Sequence, residues 1–203
     1  MGGESRTGCR ISCCIKRSLT IDYQKPETMI FNQTALKGAF LIEPQKLEDE
    51  RGFFARTWCA KELAKQGLNA SLAQCNISFN REKGTLRGMH FQAAPHAEAK
   101  LVRCTAGSIY DVIIDLRPKS KTFKQWFAVE LSAKNYKMLY IPEDLAHGFL
   151  TLEDNTEVHY QMSEFYYPEH ASGIRWNDAS FSVKWPAEIR SISERDRSYP
   201  DFS

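Results

Sequence analysis

Leu101-Val102-Arg103-Cys104-Thr105-Ala106-Gly107-Ser108-Ile109-Tyr110-Asp111-Val112-Ile113-Ile114-Asp115-Leu116 reads as two strands turned at Gly107. Ile109, Val112, Ile113 and Ile114 supply the β-branched side chains that suit a pleated, buried surface. The same texture extends on both sides. Trp126 to Leu131 alternates, and so does Lys137 to Ile141, which Pro142-Glu143-Asp144 stops. Gly148 to Leu152 and Glu157 to Met162 are expected to pair across Glu153-Asp154-Asn155. Upstream, Ala39-Phe40-Leu41-Ile42 is a short apolar run, and Ala60 to Gly67 carries helix formers closed by a glycine. Short strands with turn signals about every ten residues predict a mostly β protein, a sandwich or barrel with a few short helices.

The chain has 203 residues, enough for one domain with one sizeable core. Residues 1–28 are rich in Ser, Lys, Arg and Cys without a stable period and read as a flexible extension, which leaves 29–203 as the domain. Twenty-seven basic against 25 acidic side chains give a net charge of +2, and no long basic stretch is interleaved with aromatics. That excludes a nucleic-acid footprint. No apolar run reaches the roughly 18 residues that span a bilayer, and Met1 to Lys16 lacks the apolar centre of a secretory signal. Cysteines 9, 13, 14, 59, 75 and 104 form no Cys-x-x-Cys pair, so a structural zinc site is not expected. Reduced thiols point to the cytoplasm.

The chemistry concentrates in Gly84-Thr85-Leu86-Arg87-Gly88-Met89-His90-Phe91-Gln92, followed by Glu98 and Lys100. An imidazole with two cations close in sequence suits proton abstraction from a carbon acid carried on an anionic ester. A second distinctive stretch, Phe165-Tyr166-Tyr167-Pro168 through Trp176 to Trp185-Pro186, is aromatic and punctuated by proline. It either packs on a core and covers a mouth, or stacks on a ligand.

These segments, with Arg51-Gly52-Phe53-Phe54, Gln74-Cys75-Asn76, Lys100 to Arg103, Asp111 to Arg117, Tyr140-Ile141-Pro142, Ala146-His147-Gly148-Phe149, Glu157 to Tyr160 and Gly173 to Asp178, run in unbroken order over roughly residues 38 to 200. In that order they resemble the dTDP-4-dehydrorhamnose 3,5-epimerases and their nucleotide-sugar relatives. The resemblance implies a cupin-type jelly roll and a homodimer whose sites are completed across the interface. It also implies a nucleotide-sugar substrate, with no redox cofactor and no metal.

The implied reaction inverts carbon 3, carbon 5 or both in a nucleotide-linked 4-keto-6-deoxyhexose, with dTDP-4-dehydro-6-deoxyglucose going to dTDP-4-dehydrorhamnose as the leading case. The hydrogens next to the ketone are acidic. Inversion needs a base on one face and an acid on the other, each positioned group contributing roughly 10²–10⁴ in rate. By resemblance His90 is the base, Asp196 of Ser193-Glu194-Arg195-Asp196 its partner, Tyr160 the acid and Lys100 the stabiliser of the enolate. Parity supports Tyr160, since Val158, Tyr160 and Met162 share one face of their strand with His159 on the other. Arg87 is assigned to the sugar or pyrophosphate, His147 to the cavity wall, and Gln74 and Asn76 to its lining. Arg51 and Phe54 match a nucleotide-contacting element donated across the dimer. Arg56, Phe165, Tyr166 and Arg175 complete the expected binding set. Arg56 stands where many members carry Glu, and Phe165 where Tyr is common, so the nucleotide stays open between dTDP, CDP and GDP.

Three rivals remain at this level. One is a metal-dependent cupin enzyme, because Glu98 and His147 fall near cupin ligand positions, although His90-Phe91-Gln92 lacks the second imidazole such a site takes. Another is a non-catalytic sugar-nucleotide-binding cupin. The third is a ketoisomerase of the same superfamily.

Overall fold

A computed structural model describes residues 29–202, so the reading of 1–28 as an extension lies outside the described residues. In chain order the elements are β1 (Met29–Gln33), β2 (Phe40–Pro44), β3 (Leu47–Asp49), β4 (Gly52–Phe54), α1 (Ala60–Lys65), β5 (Gln74–Asn80), β6 (Thr85–Gln92), β7 (Lys100–Ala106) and β8 (Ser108–Asp115). There follow β9 (Trp126–Ser132), β10 (Met138–Ile141), β11 (Leu145–Thr151), β12 (Thr156–Met162), β13 (Ala171–Gly173), β14 (Ser191–Ile192) and α2 (Glu194–Arg197).

Two sheets face each other. One has the order β1-β2-β10-β7-β12-β5, the other β13-β6-β11-β8-β9, with β14 added beside β6. Strands β3 and β4 form a separate hairpin. This is a jelly-roll sandwich of the cupin type. One expectation is corrected. Strands β11 and β12 are consecutive but do not pair: β11 lies between β6 and β8, and β12 between β5 and β7. The Glu153-Asp154-Asn155 turn therefore crosses from one sheet to the other, as the turn at Gly107 does between β7 and β8. A local turn signal marks where a strand ends but not which sheet the next one joins.

Burial explains why some strands alternate and others do not. Val102, Cys104, Leu139, Ile141 and Val158 of one sheet meet Ile109, Ile113, Leu131, Leu145 and Phe149 of the other in the central layer. The outer face of the first sheet, with Ile42, Leu101, Met138 and Tyr140, is covered by Leu63 of α1 and by Trp58. The outer face of the second, with Met89, Val112, Ile114 and Ala146, is covered by Ile174, Phe181 and Trp185. Strand β8 is thus buried on both faces, hence the β-branched run Val112-Ile113-Ile114. Full burial of each such side chain stabilises the fold by roughly 1.5–3 kcal/mol. The aromatic segment accordingly divides. Trp185 packs on the sheet and donates its indole N–H to the Trp176 carbonyl at 3.1 Å, whereas Phe165 and Tyr166 stay exposed.

Among the described residues Cys59, Cys75 and Cys104 are free thiols, and no helix is long and apolar enough to cross a membrane.

Candidate active site

The open end of the sandwich holds a cavity of about 480 Å³, within the range of small-ligand sites. Both sheets contribute to it. Gln74, Asn76 and Ser78 alternate along β5, and Tyr160 and Met162 lie on the adjacent β12. Arg87, His90 and Gln92 come from β6, and His147 from β11. Glu98, Lys100, Tyr166 and Arg195 close the perimeter.

Arg87 and His90 are three residues apart, which in a regular strand would put them on opposite faces. A register irregularity brings them together: His147 pairs with His90 and Phe149 with Arg87, so three residue steps on β6 match two on β11. Gly88 sits at this bulge with φ +129°, and a Cβ there would lie 2.5 Å from the Cα of Gly148. No side chain fits between the two backbones.

His90 presents its Nε2 to Asp196 Oδ1 at 2.7 Å. The other carboxylate oxygen accepts from the Gly88 N–H at 3.1 Å, and the Ser193 hydroxyl caps the helical turn by accepting from the Asp196 N–H, also at 3.1 Å. Burial opposes ionisation of Asp196, but the hydrogen bonds from His90, Gly88 and Ser193 outweigh it and hold the carboxyl below its ordinary pKa. With Nε2 bearing the proton shared with Asp196, the lone pair of the neutral ring is on Nδ1. The His90 side chain is 41 % exposed and its carboxylate 6 %, a reachable base on a buried anchor.

Across the cavity, burial raises the pKa of the Tyr160 phenol and the Asp111 carboxylate raises it further, while a hydrogen bond with Ser78 and the charge of Arg87 pull the other way. The phenol is therefore held protonated. Asp111 is fully buried, and its Oδ1 lies 2.6 Å from His147 Nε2. Lys100 Nζ pairs with Glu98 Oε1 at 3.0 Å and reaches the His90 carbonyl at 3.3 Å. Arg87 Nε donates to Asn80 Oδ1 at 2.7 Å, which directs its guanidinium. The arrangement can hold an anionic ester, take a proton on one side, stabilise negative charge and return a proton from another side.

His90, Tyr160, Asp196, Lys100, Gln74, Asn76, Arg87, His147 and Tyr166 are thus gathered at one place. Others are not. Arg56 Nη1 is spent on Glu62 Oε1 at 2.7 Å, and Arg175 on Asp201. Neither arginine is among the residues that line the cavity of its own chain. The Phe165 ring is exposed outside the lining, and its carbonyl accepts from Gln92 at 3.1 Å. Arg51 pairs with Asp49 on the exposed β3–β4 hairpin, where Phe54 is also exposed, so neither enters the cavity of its own chain.

Three site residues had no assigned role from sequence. Asp111 carried a readable signal, an acid amid β-branched residues with the parity of Ile109 and Ile113, hence pointing inward. Gln92 shares the parity of His90, and its amide ties the walls together, donating to His96 and Phe165 carbonyls and accepting from the Tyr167 N–H. Arg195 precedes the paired aspartate. Glu98 and His147 are committed to Lys100 and Asp111, and among the described residues no three His, Cys, Asp or Glu side chains are grouped to hold a metal ion.

The family model for dTDP-4-dehydrorhamnose 3,5-epimerase matches residues 33–203. A dTDP-4-dehydrorhamnose 3,5-epimerase from Methanothermobacter thermautotrophicus is 42% identical over 172 residues, covering 83% of this chain and 92% of the relative. The crystal structure of the Bacillus anthracis dTDP-4-dehydrorhamnose 3,5-epimerase with TDP and PPi bound superposes with a TM-score of 0.82 at 42% identity, over 86% of this chain and 99% of that one. A Legionella pneumophila dTDP-6-deoxy-D-glucose-3,5-epimerase in complex with dTDP-4-keto-L-rhamnose gives a TM-score of 0.79 at 34% identity, over 84% and 91%. Sequence and backbone agree with these relatives over more than four fifths of the chain, and the chain belongs to the dTDP-4-dehydrorhamnose 3,5-epimerase family.

Proposed function

We propose that this protein is an isomerase that converts dTDP-4-dehydro-6-deoxyglucose to dTDP-4-dehydrorhamnose by inverting the carbons on either side of the ketone. The observation that carries the reading is that His90, backed by Asp196, and the protonated phenol of Tyr160 open on one cavity from facing sheets. His90 Nδ1 takes the proton next to the ketone, and Asp196 stabilises the imidazolium that forms. Negative charge moves to the ketone oxygen, where Lys100 opposes it in a site of low dielectric. Tyr160 delivers a proton to the opposite face of the carbon. Arg87 binds the sugar or pyrophosphate, and His147, Gln74, Asn76 and Tyr166 orient the ligand. TDP and a dTDP-sugar bound to relatives favour dTDP over CDP or GDP.

The protein acts as a homodimer in this proposal. Arg51 and Phe54, outside their own cavity, complete the partner's. The working unit is 29–203 with 1–28 as an extension, and the free thiols fit a cytoplasmic setting. Size-exclusion chromatography with light scattering tests the dimer.

Proton NMR in heavy water with dTDP-, CDP- and GDP-linked 4-keto sugars tests the activity. Deuterium should enter carbons 3 and 5 of the dTDP sugar, and His90→Asn should abolish exchange while leaving dTDP binding largely intact. Full exchange in that variant removes His90 from its role.

A further inference from the structure

We propose that Tyr199 is a positioning residue for His90. The proposal rests on His90 being the base of the reaction above. One hydrogen bond, from Nε2 to Asp196, fixes a single atom of the imidazole and leaves the ring plane free to swing about it. Tyr199 supplies the second constraint. Its ring meets the His90 ring edge to face, centroids 5.9 Å apart at 68°, a favoured aromatic geometry.

Three features place the ring there. Tyr199 follows Asp196 by three residues, just past the C-cap Ser198 of α2, so one helical turn delivers both contacts to His90. Arg195, four residues before Tyr199, places its guanidinium carbon over the Tyr199 ring, 5.8 Å from the centroid. Gly173, paired with His90 across β13 and β6, leaves the space the ring occupies: a Cβ at 173 would lie 2.4 Å from Tyr199 Cε2. The tail is tied down beyond this point, since Arg175 N–H donates to the Pro200 carbonyl at 3.4 Å and Phe202 N–H to Asp178 at 2.6 Å. Tyr199 is not among the residues lining the cavity. It acts on the reaction through the orientation of His90, and the ring carries the effect.

The test compares Tyr199→Phe, Tyr199→Leu and Tyr199→Ala in the full chain, with steady-state kinetics, dTDP affinity by calorimetry and thermal unfolding on each. Leu fills much of the space without a planar edge and replaces Ala if Ala does not fold. Misorientation of a reacting group lowers turnover by up to about 100-fold, so the Leu variant should lose roughly ten- to 100-fold in kcat with KM and dTDP affinity unchanged. Phe should restore turnover. Parental kcat in the folded Leu or Ala variant overturns the proposal, as does an equal loss in Phe or a rise in KM with kcat kept. His90→Asn in parallel separates the two ideas. Exchange persisting there removes the base itself, whereas an inactive His90→Asn beside a fully active Tyr199→Leu removes only the role of Tyr199.

Discussion

His90 and His147 stand directly opposite each other on β6 and β11, and each gives its Nε2 to a buried carboxylate, Asp196 for the first and Asp111 for the second. Opposed residues of an antiparallel pair project from the same face, so the cavity wall carries two parallel imidazole–carboxylate pairs. Accessibility distinguishes them: the His90 side chain is 41 % exposed and that of His147 4 %. A group that must meet a carbon-bound hydrogen needs the former. His147→Asn is therefore expected to slow turnover, by about 10²-fold for loss of one positioned polar group, while deuterium still enters the sugar. Exchange as completely lost as in His90→Asn would make His147 a second base.

Asp196 links catalysis to stability. Its pKa in the fold lies below the ordinary 3.8, so the ionised carboxylate stabilises the native state above that value, and this share is lost as pH falls through the lower folded pKa. Asp196→Asn should melt lower than the parent near neutral pH, with the gap narrowing as pH is taken below 3.8. The same variant should lose roughly 10²–10⁴ in kcat, because the imidazole is no longer held in one tautomer or stabilised as a cation. Melting curves across pH and initial rates check the two halves separately.

Much of this was legible before the fold was known, and the omissions have definite causes. Strand positions followed from β-branched residues and turn chemistry, and the parity of Val158, Tyr160 and Met162 correctly set Tyr160 inward, where it lines the cavity. Parity alone would have separated Arg87 from His90, and only the bulge at Gly88 brings them to one face. Which sheet receives β12 after Asn155 is decided by long-range pairing with β5 and β7, and no local pattern encodes it. Asp196 lies 106 positions from His90, so its contact came from family resemblance and not from spacing. The ion pairs of Arg56 with Glu62 and of Arg175 with Asp201 could not be read in advance either, because these partners become neighbours only on folding.

Gly88 should be the least replaceable backbone position near the site. An added methyl would approach Gly148 Cα to 2.5 Å and the His147 carbonyl to 2.9 Å, at a φ of +129° that side chains rarely adopt. Both obstacles are backbone, so no side-chain movement relieves them. Gly88→Ala should destabilise the protein by about 3 kcal/mol or more, from overpacking and strain together. Denaturant unfolding measures this, and a midpoint equal to the parent's would show that β6 and β11 can separate at the bulge without loss.

Tyr160 and Asp111 give the sharpest electrostatic test. Burial is the main cause that holds the phenol protonated above its ordinary pKa of 10.0, and the Asp111 charge is the next. Asp111→Asn removes that charge and should bring the phenol titration down toward 10.0 without reaching it, because burial remains. Ultraviolet difference titration of parent against Tyr160→Phe isolates the signal in each background. In turnover, Tyr160→Phe keeps the base and loses the acid on the opposite face. Deuterium should still exchange into the substrate, while inverted product falls by roughly 10²–10⁴. Inversion at the parental rate would mean that the returning proton comes from another group, and the pairing of His90 with Tyr160 across the sugar ring would have to be abandoned.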